Sequence, residues 1–199
     1  AMDTVGPATL TTSNSHPLSS QPLRVLYGHE VLITCVDVNS DIDTVVSGDM
    51  AGNVILHTLL EGTYVRTIKF SHAIDLVKIS PEGHIVVHTS KNCMLYVFNL
   101  NGTMLSKMDT NDKLRTCTIT ADSKYVITGG MKKSIIIRQL YDLRELHAFE
   151  PLSGDVQAIT LMKQDRALDI LATTTDGILH YLPLDRTILE REIVDLNPQ

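Results

Sequence analysis

Eight histidines and 23 acidic side chains give this chain the residue types that hold metal ions or move protons. His84 and His88 lie four residues apart. On a strand that even spacing puts both on one face about 13 Å apart, too far to share an ion, so both read as partly exposed strand histidines. Nucleophile candidates fail at the level of motif. No G-x-S-x-G is present, Cys117 falls at an apolar strand position, and neither Cys35 nor Cys93 has a base near it in sequence, so inert thiols are expected. Gly129-Gly130-Met131-Lys132-Lys133 has the residue types of a phosphate cradle. It lacks G-x-x-x-x-G-K-[ST] and a following helix, and reads as a hairpin turn. Asp41, Asp43, Asp109, Asp112, Asp122, Asp142 and Asp165 fall mostly in turns, where Asp bonds local backbone, and none pairs as acid and base. One local basic cluster remains: Arg138, Lys132 and Lys133, joined by Arg115 on the neighbouring strand. It is a candidate cationic spot for an acidic peptide or a lipid headgroup. No catalytic, cofactor-binding or metal residue is assigned, and no cofactor is expected.

Charge and hydropathy narrow the partner class. With 17 basic against 23 acidic residues the net charge is −6, which gives no footprint for wrapping a phosphate backbone, so nucleic acid is not an expected partner. No apolar run reaches the roughly 18 residues of a membrane span, and the N-terminus has no charged-then-apolar leader pattern. Three cysteines without a C-x-x-C pair make neither a disulfide framework nor a zinc ligand set, which fits a reducing, cytoplasmic setting.

What must position these residues is a repeat. Residues 1–22 are rich in Ser, Thr and Pro, without periodicity, and read as a flexible loop or linker. From residue 23 onward, short runs of β-branched and aliphatic residues alternate with turn clusters such as Ser-Pro-Glu-Gly at 80–83. Four segments align, ITCVDVN from Ile33, IDLVKIS from Ile74, LRTCTIT from Leu114 and VQAITLM from Val156, at spacings of 41, 40 and 42 residues. Their first, fourth and sixth positions are apolar, as stacked inner strands packed on both faces require. The expectation is that Val36, Val77, Cys117 and Ile159 share one buried environment, so that Val36→Asp unfolds the chain. Each segment is followed by two further apolar runs and a more polar fourth. Four strands per ~40 residues is the period of a propeller blade, so the fold class expected is all-β, a propeller with four four-stranded blades at approximately 31–70, 73–109, 113–149 and 155–195.

Gly28-His29 ahead of the first inner strand, and Ser47-Gly48 on the second, are the pairs that open a WD repeat and mark its second strand. PLRVLYGHEVLITCVDVNSDIDTVVSG, with NVILHTLLEGTYVRTI, GHIVV, YVITGG and IIIRQLYDLRELHAF, resembles the C-terminal WD propeller of BEACH-domain proteins of the neurobeachin group over roughly residues 23–184. The resemblance implies a tetrad of the Gly-His histidine, a Ser or Thr, a Trp and a turn Asp. The chain departs from it: it has no Trp, its Trp-Asp positions read His57-Thr58, Phe98-Asn99, Arg138-Gln139 and Tyr181-Leu182, and the turn-Asp position of the first blade reads Ala51. Only His29 and Ser47 match there, while Thr174 and Asp176 keep part of the pattern in the last blade, so blades held mainly by apolar packing are expected. By chain order Leu23 to Tyr27 reads as the outer strand of an upstream blade, and the resemblance implies a larger, seven-bladed ring of which this chain is a part. It also implies a non-catalytic scaffold for other proteins or peptides in vesicle trafficking and membrane-protein sorting, cytoplasmic or peripheral on endomembranes. Two alternatives stand beside it: a WD subunit of a signalling or chromatin complex, and a propeller enzyme with a central-channel site. The mixed residues Val31, His72, Lys113 and Asp155 at the strand tops do not support the second.

Overall fold

The computed structural model describes residues 24–164 and 167–185, and among them every regular element is a strand. Turn chemistry cuts the chain into antiparallel meanders. The first sheet runs β1 (Ile33–Asn39), β2 (Thr44–Asp49), β3 (Asn53–Thr58) and β4 (Tyr64–Lys69). The second runs β5 (Leu76–Ile79), β6 (Ile85–Thr89), β7 (Met94–Phe98) and β8 (Met104–Asp109). The third runs β9 (Leu114–Ile119), β10 (Tyr125–Gly130), β11 (Ile135–Gln139) and β12 (Glu145–Ala148). The fourth has β13 (Val156–Gln164), β14 (Ala167–Thr174) and β15 (Leu179–Asp185). The run expected to complete it, Thr187 to Asp195, lies outside the described residues, as does the segment 1–22. These are propeller blades, with the inner strands β1, β5, β9 and β13 in successive contact around an axis.

Runs such as IVV and YVI are apolar at every position because both faces of a middle blade are covered. Alternation then divides them: Ile85 and Val87 pack with Val46, Leu56, Ile74 and Val77 between the first and second blades. Val86 packs with Val97, Cys117 and Val126 between the second and third. Ile127 and Ile137 pack with Val156 and Ile170 between the third and fourth. Each such side chain contributes about 1.5–3 kcal/mol by leaving water. Polar side chains tie the first inner strand to the second blade: Thr34 Oγ1 donates to the Ile74 carbonyl, Asn39 Nδ2 to that of Ser80 at 2.8 Å, and the Ile79 N–H to Asp37 at 2.9 Å. Between β9 and β13 the Ile159 N–H donates to Thr116 Oγ1 at 3.2 Å. Gly48 permits the close approach, since a Cβ there would stand 2.5 Å from Ile74 Cγ2.

The expectation of one shared environment for the fourth inner position does not hold. Val77 and Cys117 are 2% and 3% exposed and Ile159 is partly buried, but Val36 is 62% exposed and its neighbour Val38 51%. Each of these side chains points to the blade before its own, and among the described residues none precedes the first. Val36→Asp therefore adds a charge to a wet face, and the expected outcome is a chain that stays folded. Nor do residues 24–27 form an outer strand. They lie along the first blade, with Arg24 donating to the Leu60 carbonyl and His57 Nε2 donating to that of Tyr27 at 2.8 Å.

Candidate functional site

The polar chemistry gathers where inner strands begin and second strands end, because there the ladders stop and backbone donors need partners. In the first blade His29 enters from the loop ahead of β1 and its side chain is 7% exposed. Its Nδ1 stands 2.7 Å from Asp49 Oδ2 and its Nε2 2.7 Å from Ser47 Oγ. A carboxylate only accepts, so Nδ1 donates to Asp49, while Nε2 is hydrogen-bonded to the Ser47 hydroxyl. Asp49, fully buried, also accepts from the Ala51 and Asn53 backbone at 2.9 and 2.8 Å and from Asn53 Nδ2. Burial alone would push this carboxyl up, but hydrogen bonds from Asn53 and the charge and hydrogen bond of His29 hold it below its ordinary value.

Three of the four tetrad members are thus assembled in the first blade, and the acid is Asp49, not a residue at position 51. The bulge between Ile33 and Cys35 puts Asp49 opposite Ile33, two residues ahead of Ala51. Its sequence signal was an Asp at a strand end followed by a turn whose second and fourth N–H groups it accepts, an Asx pattern.

The third blade differs. Arg138, at the tryptophan position, is 2% exposed, and its Nη1 donates to Thr128 Oγ1 at 2.7 Å. Its Nη2 lies 3.8 Å from Glu145, its Nε has no partner among the described residues, and burial draws its pKa below the usual range despite Glu145 and Asp112. Arg138 therefore does not stand with the surface cations: the alternation that buries Ile127 and Ile137 against the fourth blade turns it toward the second, beside Val126. Gly130 pairs with Leu114 as Asp49 pairs with Ile33, and the carboxylate comes from the loop, where Asp112 accepts the Lys132 N–H at 3.1 Å. A Cβ on Gly130 would meet the Lys113 carbonyl at 2.4 Å and Asp112 Oδ2 at 2.9 Å.

The second blade has Val87 opposite Val77 where the first has Ser47 opposite Val36, and it packs without that hydroxyl. His88 is fully buried rather than partly exposed, and among the described residues neither ring nitrogen makes a well-formed hydrogen bond. Burial pushes its pKa down, against the pull of Asp75 and Asp112, and keeps the ring neutral. In the fourth blade Thr174 Oγ1 donates to Asp176 Oδ1 and lies 3.2 Å from His180 Nε2. Hydrogen bonds from Ser153 and Thr174 hold the exposed Asp176 carboxyl below its ordinary value. There the ladder sets Leu182 opposite Ile170, as Arg138 stands opposite Val126, and Tyr181 faces outward with its hydroxyl donating to Asp169 at 2.7 Å. The tryptophan position of this blade is therefore Leu182, one residue beyond the sequence alignment. Burial raises the Cys117 thiol to about 12 and Cys35 also above its usual value, so neither is an activated nucleophile. No group of three metal-ligating side chains occurs among the described residues.

Of the basic cluster, Arg115, Lys132 and Lys133 are exposed at one end of the inner strands. Arg115 faces Asp155 at 3.8 Å and Lys133 Nζ donates to the Ser153 carbonyl at 3.2 Å. Between the second, third and fourth blades a groove of about 400 Å3 is lined by Asp75, Leu76, Lys113, Arg115, Met131 and Gln157 among others. Lys113 enters this group although sequence reasoning set it aside as a mixed strand-top residue.

The model of the neurobeachin β-propeller domain matches residues 7–192. BEACH domain-containing protein B of Arabidopsis thaliana is 27% identical over 164 residues, 81% of this chain and 6% of that protein. BEACH domain-containing protein lvsE of Dictyostelium discoideum is 28% identical over 179 residues, 83% of this chain and 8% of that protein. A putative neurobeachin homolog of Caenorhabditis elegans is 24% identical over 73% of the chain. The chain spans 6–8% of the length of these curated relatives. The computationally designed Ika4 protein superposes with a TM-score of 0.68 at 17% identity, covering 82% of this chain and 98% of that one. The designed Ika8 protein gives 0.66 at 17% identity, with 80% of this chain matching 48% of its own.

Proposed function

This chain belongs to the neurobeachin β-propeller domain family, and from that premise we propose that it is a non-catalytic protein-interaction module of a BEACH-domain protein, acting in vesicle trafficking and membrane-protein sorting. The observation that carries the reading is the commitment of the polar groups at the strand ends. Both nitrogens of His29 are engaged, by Asp49 and Ser47, and the carboxylates of Asp49 and Asp112 hold turn N–H groups. A base needs a free lone pair beside an open site, and this imidazole has neither. The same bonds fix the turns that surround the axis, so their outward side chains stand on a rigid support, which is what presentation of a binding surface requires. No helix among the described residues is long and apolar enough to cross a membrane, so residence on endomembranes would come through partners or through other parts of a larger protein.

The test supplies the chain in excess to cells and follows the surface level of a recycled membrane protein by flow cytometry. Competition for partners should lower or redistribute that protein, and a variant unfolded by Val77→Asp should not. Equal cargo distribution with and without the folded chain overturns the reading.

A further inference from the structure

We infer that the groove between the second, third and fourth blades binds an acidic, aliphatic-containing peptide segment through Lys113 and Arg115. This rests on the interaction-module reading and names the partner chemistry. The second residues of the four aligned inner segments are Thr34, Asp75, Arg115 and Gln157, one from each blade at the same end of the axis. Three of them line the groove. Thr34 is occupied by the Gly48 and Ile74 carbonyls, and the Asp75 carboxylate by the Ser90 N–H. Arg115 and Gln157 are exposed, and Arg115 has only a loose ion pair with Asp155, at 3.8 Å with the two side chains 41% and 25% exposed. A pair so long and so wet contributes little, and an incoming carboxylate can displace or share it.

The remaining cations point the same way. Lys113 is exposed and its ammonium has no hydrogen bond or ion pair among the described residues. Lys132 and Lys133 stand on the adjacent β10–β11 turn, whose backbone Asp112 pins. Four cations against Asp75, Asp155 and the buried Asp112 leave this end of the third blade with a small positive excess on a chain whose net charge is −6, so the excess is local and selects an acidic partner. Leu76 and Met131 add apolar contact between the charges, and the Gln157 amide can pair with a peptide backbone. A recess of about 400 Å3 accepts a side chain or two of an extended segment, where a flat anionic bilayer reaches only the rim; a peptide is therefore the occupant.

The probe is a fluorescent peptide of alternating Glu and Leu, titrated with the complete 199-residue chain by fluorescence anisotropy beside a Gln/Leu counterpart. Vesicles with and without phosphatidylserine are the membrane arm. Binding of the Glu/Leu peptide should weaken as salt rises from about 50 to about 300 mM. Lys113→Glu with Arg115→Glu should lower affinity by about tenfold or more, and Lys107→Glu on the outer strand β8 by less than about twofold. If the double reversal moves the melting temperature, Lys113→Gln with Arg115→Gln replaces it and should still cost several-fold. Equal binding of the Gln/Leu peptide, no binding of the Glu/Leu peptide, indifference to the groove variants, or capture of anionic vesicles alone each overturns the inference. Cargo redistribution by the double variant equal to that by the wild-type chain would sink this site and leave the module reading standing.

Discussion

In the first blade the β2–β3 turn is held by a carboxylate from the sheet itself, Asp49, with His29 arriving from the loop; in the third the loop brings the carboxylate, Asp112, and the sheet position is Gly130. The strand hydroxyls differ in the same way: Ser47 faces an imidazole, Thr128 a guanidinium. What the two blades share is the demand, since a turn N–H and a strand hydroxyl at a buried blade end must find partners whichever residue supplies them. The requirement fixes the atom that must be present and leaves the residue free.

The sharpest way to break the comparison is Asp49→Ala. It strands His29 and the Ala51 and Asn53 N–H groups, and should cost about 3–5 kcal/mol in denaturant unfolding. A loss below about 1 kcal/mol would show that the first blade does not depend on its acid. The Asp49 carboxyl is held below its ordinary value of 3.8, so its contribution is complete above that value and disappears as pH falls through the lower folded one. Acid unfolding below about pH 4 should flatten in Asp49→Asn, followed by circular dichroism. Gly130→Ala drives a methyl against the Lys113 carbonyl and Asp112, and should cost about 1–3 kcal/mol while the same change at exposed Gly177, where a Cβ meets nothing but φ is +81°, costs about 1 kcal/mol.

Arg138 separates burial from charge. Arg138→Met keeps the volume and should change stability by less than about 1 kcal/mol, in either direction, whereas Arg138→Ala should cost about 2–4 kcal/mol through the cavity. Val36→Asp, at the register position of Cys117, should shift stability by less than about 0.5 kcal/mol. A large loss there would mean that the first blade's open face is covered in solution.

The architecture was legible because period, turn chemistry and two-sided apolar runs all act locally: β1, β2 and β3 fall on the runs that predict them. Asp49 was not, because the carboxylate is supplied two residues ahead of the aligned turn position, from the strand end that only the ladder pairs with Ile33. Arg138 reads as a surface cation by residue type, and its burial is visible only when Ile135 and Ile137 are assigned to one face and the residue to the other. Val36 carries the pattern of a core residue, but burial belongs to the neighbour as much as to the sequence. Lys113 became legible as part of a groove only once three blades were placed side by side.

The side chains that join one inner strand to the next reach 40 to 43 positions along the chain, the length of one repeat. A molecule linked only to the adjoining unit behaves like a row of clasps. Damage to one clasp loosens two neighbours and is not transmitted further, so the order in which blades come apart under load should follow the strength of individual junctions and not their place in the row.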